Sequence, residues 1–169
     1  ISLNDLEVNF NGNLKVFDNG FAYNLLFKTQ NGTLKNVISA LPPKYVEWSK
    51  DLSLKGDITA KLHLAAYTGY VPKASKINRT DLTVNIYDGY IKHKDADQAL
   101  ENLYANFKGD FKDNWMNLSL DSLNFSLNKE ITTGQMFVKG RTDPMYVKSN
   151  IQSNINLNIL NHTLSLPDL

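Results

Sequence analysis

With 169 residues, the chain is long enough for one domain that buries about 68–70% of its unfolded surface, and it is short for two. Its 18 Lys and Arg residues nearly balance 17 Asp and Glu, so it lacks the large positive field that nucleic-acid binding requires. The absence of cysteine excludes disulfides and thiolate metal sites. No segment approaches the roughly 18 uninterrupted apolar residues of a membrane span, and the opening ISLNDLEV lacks the features of a signal peptide. We therefore expect an internal piece of a longer protein or a processed product.

Alternating apolar and polar residues predict strands along most of the chain. The predicted strands cover residues 6–10, 13–17, 22–29, 57–67, 81–87, 90–93, 100–109, 115–128, 135–140 and 153–160. Between several of them lie FNGN, FDNG, QNGT and YDGY, in which Asn-Gly and Asp-Gly supply the positive φ of hairpin turns. Short connections of this kind predict an antiparallel meander.

Two segments depart from simple alternation. LPPKYVEWSKDL (41–52) predicts one short helix near 43–50, because Pro43 suits the first position of a helix. KDADQALENLYANF also has helical propensity, but Leu103, Ala105 and Phe107 alternate, which favours a strand in its second half.

The stretch NLSLDSLNFSLN (117–128) changes phase between Leu120 and Leu123. A flat strand would place Leu123 on the opposite face from Leu120, so Asp121 and Ser122 are predicted to form a β-bulge. A recurring triplet of an apolar residue, Lys and Gly, in LKGDI, FKGDF and VKGRT, further predicts bends at Gly56, Gly109 and Gly140.

Catalytic and metal-binding motifs are absent from the sequence. His63, His93 and His162 are far apart, and His93 with Asp95 and Asp97 lacks the glycine and distal glutamate of a calcium loop. No nucleophile elbow, phosphate loop or dinucleotide fingerprint occurs. A pair of carboxylates from Asp57, Asp110, Asp113 and Asp121 could still assemble in space as in a glycosidase.

Four segments in a fixed order suggest a family. They are VISALPPKYVEWSKDLSLKGDI, AAYTGYVPKAS, LTVNIYDGYIKHKDADQALENLYANFKG and VKGRTDPMYVKSNIQSNINLNILNHTLSLP. Over nearly its whole length, the chain resembles the C-terminal region of the AsmA-like family of Gram-negative envelope proteins, which is similar to TamB and to the bridge-like lipid-transfer proteins.

The resemblance implies a mainly β fold: a strongly twisted antiparallel sheet that forms an open trough or half-barrel, in a single domain over residues 1–169. It implies a fragment of a larger periplasmic protein anchored in the inner membrane, with roles in outer-membrane biogenesis and in phospholipid or glycolipid transport. The family offers no catalytic residue and no cofactor to transfer, so the chain is expected not to be an enzyme. Its expected partners are lipid acyl chains and other envelope proteins.

Acyl chains need a continuous apolar path, which one face of an alternating sheet can offer. The residues expected to line it are Leu62, Leu64, Val84, Ile86, Leu118, Leu120, Phe125, Ile155, Leu157 and Ile159. The same residues would also build an ordinary closed core if the helix near 43–50 covered them. Two alternatives therefore stay open: a structural module that docks envelope proteins by pairing strand edges, and an enzyme on a β scaffold.

Overall fold

A computed structural model describes residues 2–3, 6–40, 43–112, 115–141 and 144–154. Ten strands within this part of the chain form one open sheet in which all pairings are antiparallel, as the sequence predicted. They are β1 (Ser2–Leu3), β2 (Leu6–Phe17), β3 (Gly20–Gln30), β4 (Gly32–Thr33), β5 (Leu52–Gly69), β6 (Arg79–His93), β7 (Leu100–Lys112), β8 (Trp115–Leu127), β9 (Glu130–Gly140) and β10 (Met145–Ser153).

The strands follow one another across the sheet in chain order, except that the short β4 pairs with β5 beside β3. Such a meander keeps each connection short and brings consecutive strands side by side. The sheet runs from β1 and β2 at one edge to β10 at the other.

Three of the four predicted hairpin turns are wrong. QNGT connects β3 to β4, and both of these strands pair with β5 and not with each other. FNGN lies inside the continuous strand β2, where Gly12 pairs with Leu25. YDGY lies inside β6, where Asp88 has a φ of 48° and the register shifts on either side of Gly89. There the positive φ forms a bulge within a strand whose partners continue on both sides, so the chain does not reverse. FDNG does form the predicted hairpin, with Phe17 paired to Gly20.

The predicted helical segment is present as a short α-helix, α2 (Pro43–Val46), followed by a 3₁₀ turn at Glu47–Ser49. A further helix, α1 (Leu34–Ser39), precedes it and was not predicted. The Thr33 hydroxyl accepts a hydrogen bond from the Asn36 N–H and caps α1. Helix α1 packs beside β4 and β5, and its Leu34 is buried, as is Ile58 of β5.

The bulge predicted in β8 is confirmed. Against β9 the register shifts between Leu120 and Leu123, so both leucines lie on the same face of the sheet. Gly56 also lies at a register shift, with a φ of 110°, and Gly140 ends β9 with a φ of 142°. The bend predicted at Gly109 is absent, because this glycine pairs without interruption to Leu82 and Leu118.

One further difference concerns the C-terminal part of the chain, which is described only as far as residue 154. Strand β10 was not predicted, because its sequence MYVKSNIQS mixes polar and apolar residues without a clear two-residue period. The strand predicted over 153–160 lies almost entirely outside the described residues.

Candidate functional site

Direct cross-strand neighbours place apolar side chains in rows that cross the sheet on one side, here called the apolar face. The first row contains Gly12, Leu25, Leu64, Thr80, Phe111, Met116, Gly140 and Met145. The second contains Phe10, Phe27, Leu62, Leu82, Gly109, Leu118, Val138 and Val147. The third contains Ala60, Val84, Phe107, Leu120, Met136 and Ser149, and the fourth Ile58, Ile86, Ala105, Leu123, Gly134 and Ile151.

All the described residues of the predicted lining lie on this apolar face, and each is half-buried. They are Leu62, Leu64, Val84, Ile86, Leu118, Leu120 and Phe125. Phe125 lies on the same face as Leu118 and Leu120 because the β8 bulge inserts an extra residue between Leu120 and Leu123. Ile155, Leu157 and Ile159 lie outside the described residues.

The apolar face is closed at one end of the strands and accessible at the other. At the end near α1, here called the helical end, Leu6, Leu34, Ile58, Leu103 and Leu127 are buried. Toward the opposite end, here called the open end, Leu14 and Val16 of β2 are 61% and 76% exposed. Helix α1 packs beside β4 and β5 at the helical end, so it forms a cap on one end of this face.

A cavity lies at the open end. It has a volume of about 740 Å³ and is lined by Ala65, Ala66, Asn78, Arg79, Thr80, Phe111, Lys112, Trp115, Met116, Arg141 and Met145. These residues extend from β5 to β10, six strands that would span about 24 Å in a flat sheet at about 4.8 Å per strand. Thr80, Phe111, Met116 and Met145 belong to the first apolar row, whereas Ala65, Arg79, Lys112 and Trp115 form the next directly paired row, whose side chains belong to the opposite side of the sheet. The cavity therefore lies at the rim of the sheet, where the strands end and residues of both faces meet.

The opposite side of the sheet, here called the polar face, carries a chain of side-chain contacts across four strands. The His63 ring lies 2.9 Å from Asn24 Oδ1 through Nε2 and 3.2 Å from Asp81 Oδ2 through Nδ1. Arg79 donates to Asp81 Oδ1 at 2.8 Å and contacts Asp110 Oδ2 at 3.1 Å. These contacts tie β3, β5, β6 and β7 together on the hydrated side.

Asparagine also joins strands on the polar face. Asn85 donates from Nδ2 to the Thr59 hydroxyl at 3.1 Å, and Asn106 donates to Asn85 Oδ1. An amide can donate and accept at once, so such residues can link three neighbouring strands. This accounts for asparagine in strands despite its poor strand propensity.

Hydrogen bonding on the polar face shifts the ionisation of Asp81. Burial, which raises the pKa of Asp81, is outweighed by hydrogen bonds with Asp110, Arg79 and His63, so this pKa lies below its ordinary value. A depressed pKa in the folded state means that the carboxylate stabilises the fold above the unfolded-state pKa of about 3.9. This contribution is lost as the pH falls through the lower pKa of the folded state.

Replacement of Asp81 by Asn is therefore expected to lower the free energy of unfolding by about 1–2 kcal/mol at neutral pH, because charge-assisted hydrogen bonds are lost. Below about pH 4 the difference from the wild type should shrink. Urea unfolding at a series of pH values measures both effects. Asp57→Asn is the matched control, because Asp57 is exposed and makes no ion pair with any described residue. If the free energies of unfolding of wild type and Asp81→Asn changed in parallel with pH, the stabilising role assigned to the Asp81 carboxylate would be contradicted.

The carboxylates considered for a glycosidase-like pair are separated. Asp57 pairs with Tyr87 and Asp110 pairs with Asp81, and those partners lie six residues apart along β6. At about 3.4 Å per residue this corresponds to about 20 Å, whereas paired glycosidase carboxylates lie about 5–9.5 Å apart. Asp121 is bound instead by Lys108, whose Nζ lies 2.5 Å from Asp121 Oδ2. Asp113 lies outside the described residues.

Sequence reasoning missed the cations at the open end, Arg79, Lys112 and Arg141. Each stands at or just beyond a strand end, where a lone Lys or Arg usually indicates only a solvated turn. Their common cavity depends on the register of distant strands, which alternation alone does not provide. The only available signal was their position directly beside the apolar runs.

Among the described residues no cluster of three or more His, Asp or Glu side chains could hold a metal ion. Within the same ranges, no helix has both the length and the apolar character needed to cross a bilayer. In comparisons with protein-family models, curated proteins and solved structures, the chain matches none.

Proposed function

We propose that this chain is a non-enzymatic β-trough module that holds lipid acyl chains on its apolar face. The observation that carries the proposal is the set of four apolar rows, which cross the sheet while most of their side chains stay partly accessible. A fold stabilised only by its own core would bury such a face against protein. An accessible apolar face of this size therefore favours an apolar ligand.

The energetics favour a lipid with two tails. Complete burial of a methylene is worth about 0.8 kcal/mol, so half-burial on an open face gains about 0.4 kcal/mol. About 30 methylenes would then contribute about 12 kcal/mol before the cost of association, which is at least about 4 kcal/mol. A single short tail would gain too little to bind firmly, whereas a phospholipid or glycolipid would gain enough.

The cellular role in this proposal rests on the AsmA-like resemblance. The chain would be part of a periplasmic conduit that helps lipids pass between the two membranes of a Gram-negative envelope and supports outer-membrane biogenesis. The parent protein would be anchored in the inner membrane. The apolar rows support the lipid-binding part of this proposal, and the segments quoted for the resemblance support its cellular setting.

The alternative is a structural module that binds other envelope proteins and carries no ligand. The observation that favours it is β10, in which every residue from Met145 to Ser153 is exposed. An exposed strand at the margin of a sheet can accept a strand from another protein.

Native mass spectrometry with lipid extraction distinguishes the two. The chain is exported, purified without detergent and analysed intact, and its bound lipids are then identified after extraction. The trough proposal predicts phospholipid or glycolipid in stoichiometric amount. A folded chain that carries no lipid and takes up none from vesicles would overturn it and favour the structural module.

A further inference from the structure

We infer that the cavity at the open end binds the anionic phosphate headgroup of a two-tailed lipid, with Lys112 and Arg141 as its cationic contacts. This inference rests on the proposed function and adds to it the ligand's headgroup class and its orientation. The headgroup lies at the open end, and the tails extend over the apolar rows toward the helical end.

The first step is the charge of the cavity. Of the described residues that line it, Arg79, Lys112 and Arg141 are cationic and none is acidic. The charge of Arg79 is compensated, because its guanidinium contacts both Asp81 and Asp110. Neither Lys112 nor Arg141 makes an ion pair with a described residue. These two side chains therefore leave a net positive charge at the cavity, which complements a phosphate.

The second step is the continuity of the cavity with the apolar face. Thr80, Phe111, Met116 and Met145 line the cavity and also belong to the first apolar row. A molecule bound there thus meets cations and apolar side chains at the same time. Free phosphate would use only the cations, and a hydrocarbon only the row, whereas an anionic lipid uses both.

The third step is the boundary between these two environments. Trp115 lines the cavity, is 40% exposed and has Lys139 Nζ 6.0 Å from its ring centroid. An indole ring commonly lies where apolar and hydrated surroundings meet, because its body is apolar and its N–H is polar. The helical end offers no comparable site, since its charges are of both signs and include the exposed Glu101 and Glu130.

The experiment offers the chain a choice between two lipids with the same tails. Vesicles contain equal amounts of dioleoyl phosphatidylglycerol, which is anionic, and dioleoyl phosphatidylcholine, which is neutral overall. After incubation, the protein is separated from the vesicles and the two bound lipids are quantified by mass spectrometry. Both lipids come from the same membrane, so attraction to its surface affects them equally.

The wild type is expected to enrich phosphatidylglycerol about three- to tenfold, the effect of two partly exposed charge contacts. Lys112→Gln with Arg141→Gln should bring the ratio close to one without reducing total lipid. The matched control, Lys28→Gln with Lys61→Gln, removes the same charge from directly paired positions that do not line the cavity and should keep the enrichment. Raising the salt concentration should reduce the enrichment.

Three results would overturn the inference. Equal uptake of the two lipids by the wild type would mean that the face binds tails without selecting a headgroup, and the proposed function would stand. Enrichment that survives in Lys112→Gln with Arg141→Gln would place the selectivity elsewhere. Displacement of the lipid by millimolar inorganic phosphate would indicate a site for free anions. Uptake of neither lipid would instead contradict the proposed function itself.

Discussion

Replacement of Val84 by Asp is expected to raise the dissociation constant for a two-tailed phospholipid at least about thirtyfold, a loss of about 2 kcal/mol. Val84 lies in the third apolar row between Ala60 and Phe107, near the middle of the sheet. A carboxylate there removes apolar contact and would have to lose water when a tail covers it. Lipid uptake from vesicles measures the change, and circular dichroism verifies that the sheet is retained.

The matched control is Thr83→Asp, one residue earlier in the same strand. Thr83 pairs with Lys61 and Lys108 on the polar face, where a carboxylate has cationic neighbours and remains hydrated. This variant should bind lipid as the wild type does. Equal binding by both variants, or an equal loss in both, would show that lipid contact does not follow the alternation of the strand.

Replacement of Gly56 by Ala is expected to lower the free energy of unfolding by at least about 2 kcal/mol. Gly56 has a φ of 110°, which residues with a side chain rarely adopt. A Cβ atom there would also lie 2.6 Å from the Cα of Gly89 and 2.8 Å from the Asp88 carbonyl oxygen. Both contacts are with backbone atoms, so relief would require the paired bulges of β5 and β6 to separate.

Urea unfolding of Gly56→Ala beside Gly134→Ala tests this expectation. At Gly134 a Cβ atom would lie 3.3 Å from Ile151 Cγ1, and φ is not positive, so a change of less than about 1 kcal/mol is expected. Equal stability of the two variants would contradict the role assigned to the Gly56 bulge.

Strand alternation predicted the fold class and the apolar face because both depend on the same two-residue period. The β8 bulge could also be predicted, since the phase slip from Leu120 to Leu123 is visible in the sequence and the period must be restored for Phe125 to face the same side. The seven described lining residues followed from this reasoning. What alternation could not decide was whether protein or ligand covers them.

The errors arose where local signals have more than one structural outcome. Asp-Gly supplies a positive φ equally well for a hairpin turn and for a bulge inside β6, and only the partner strands decide between them. Helix α1 is only six residues long, too short to show a full amphipathic pattern. The cations Lys112 and Arg141 line one cavity because β7 and β9 finish at the same end of the sheet, the open end. The local sequence around each residue does not show this.

The most direct test of an open lipid-binding face is photo-cross-linking with a phospholipid that carries a diazirine in its tail. The detergent-free chain is loaded from vesicles and irradiated, and the labelled residues are identified by peptide mass spectrometry. We predict label at Val84, Ile86, Leu118 and Leu120, but not at Thr83, Asn85 or Ser119, which lie between them on the polar face. Label on both sets alike, or on neither, would contradict binding of acyl chains to the apolar face.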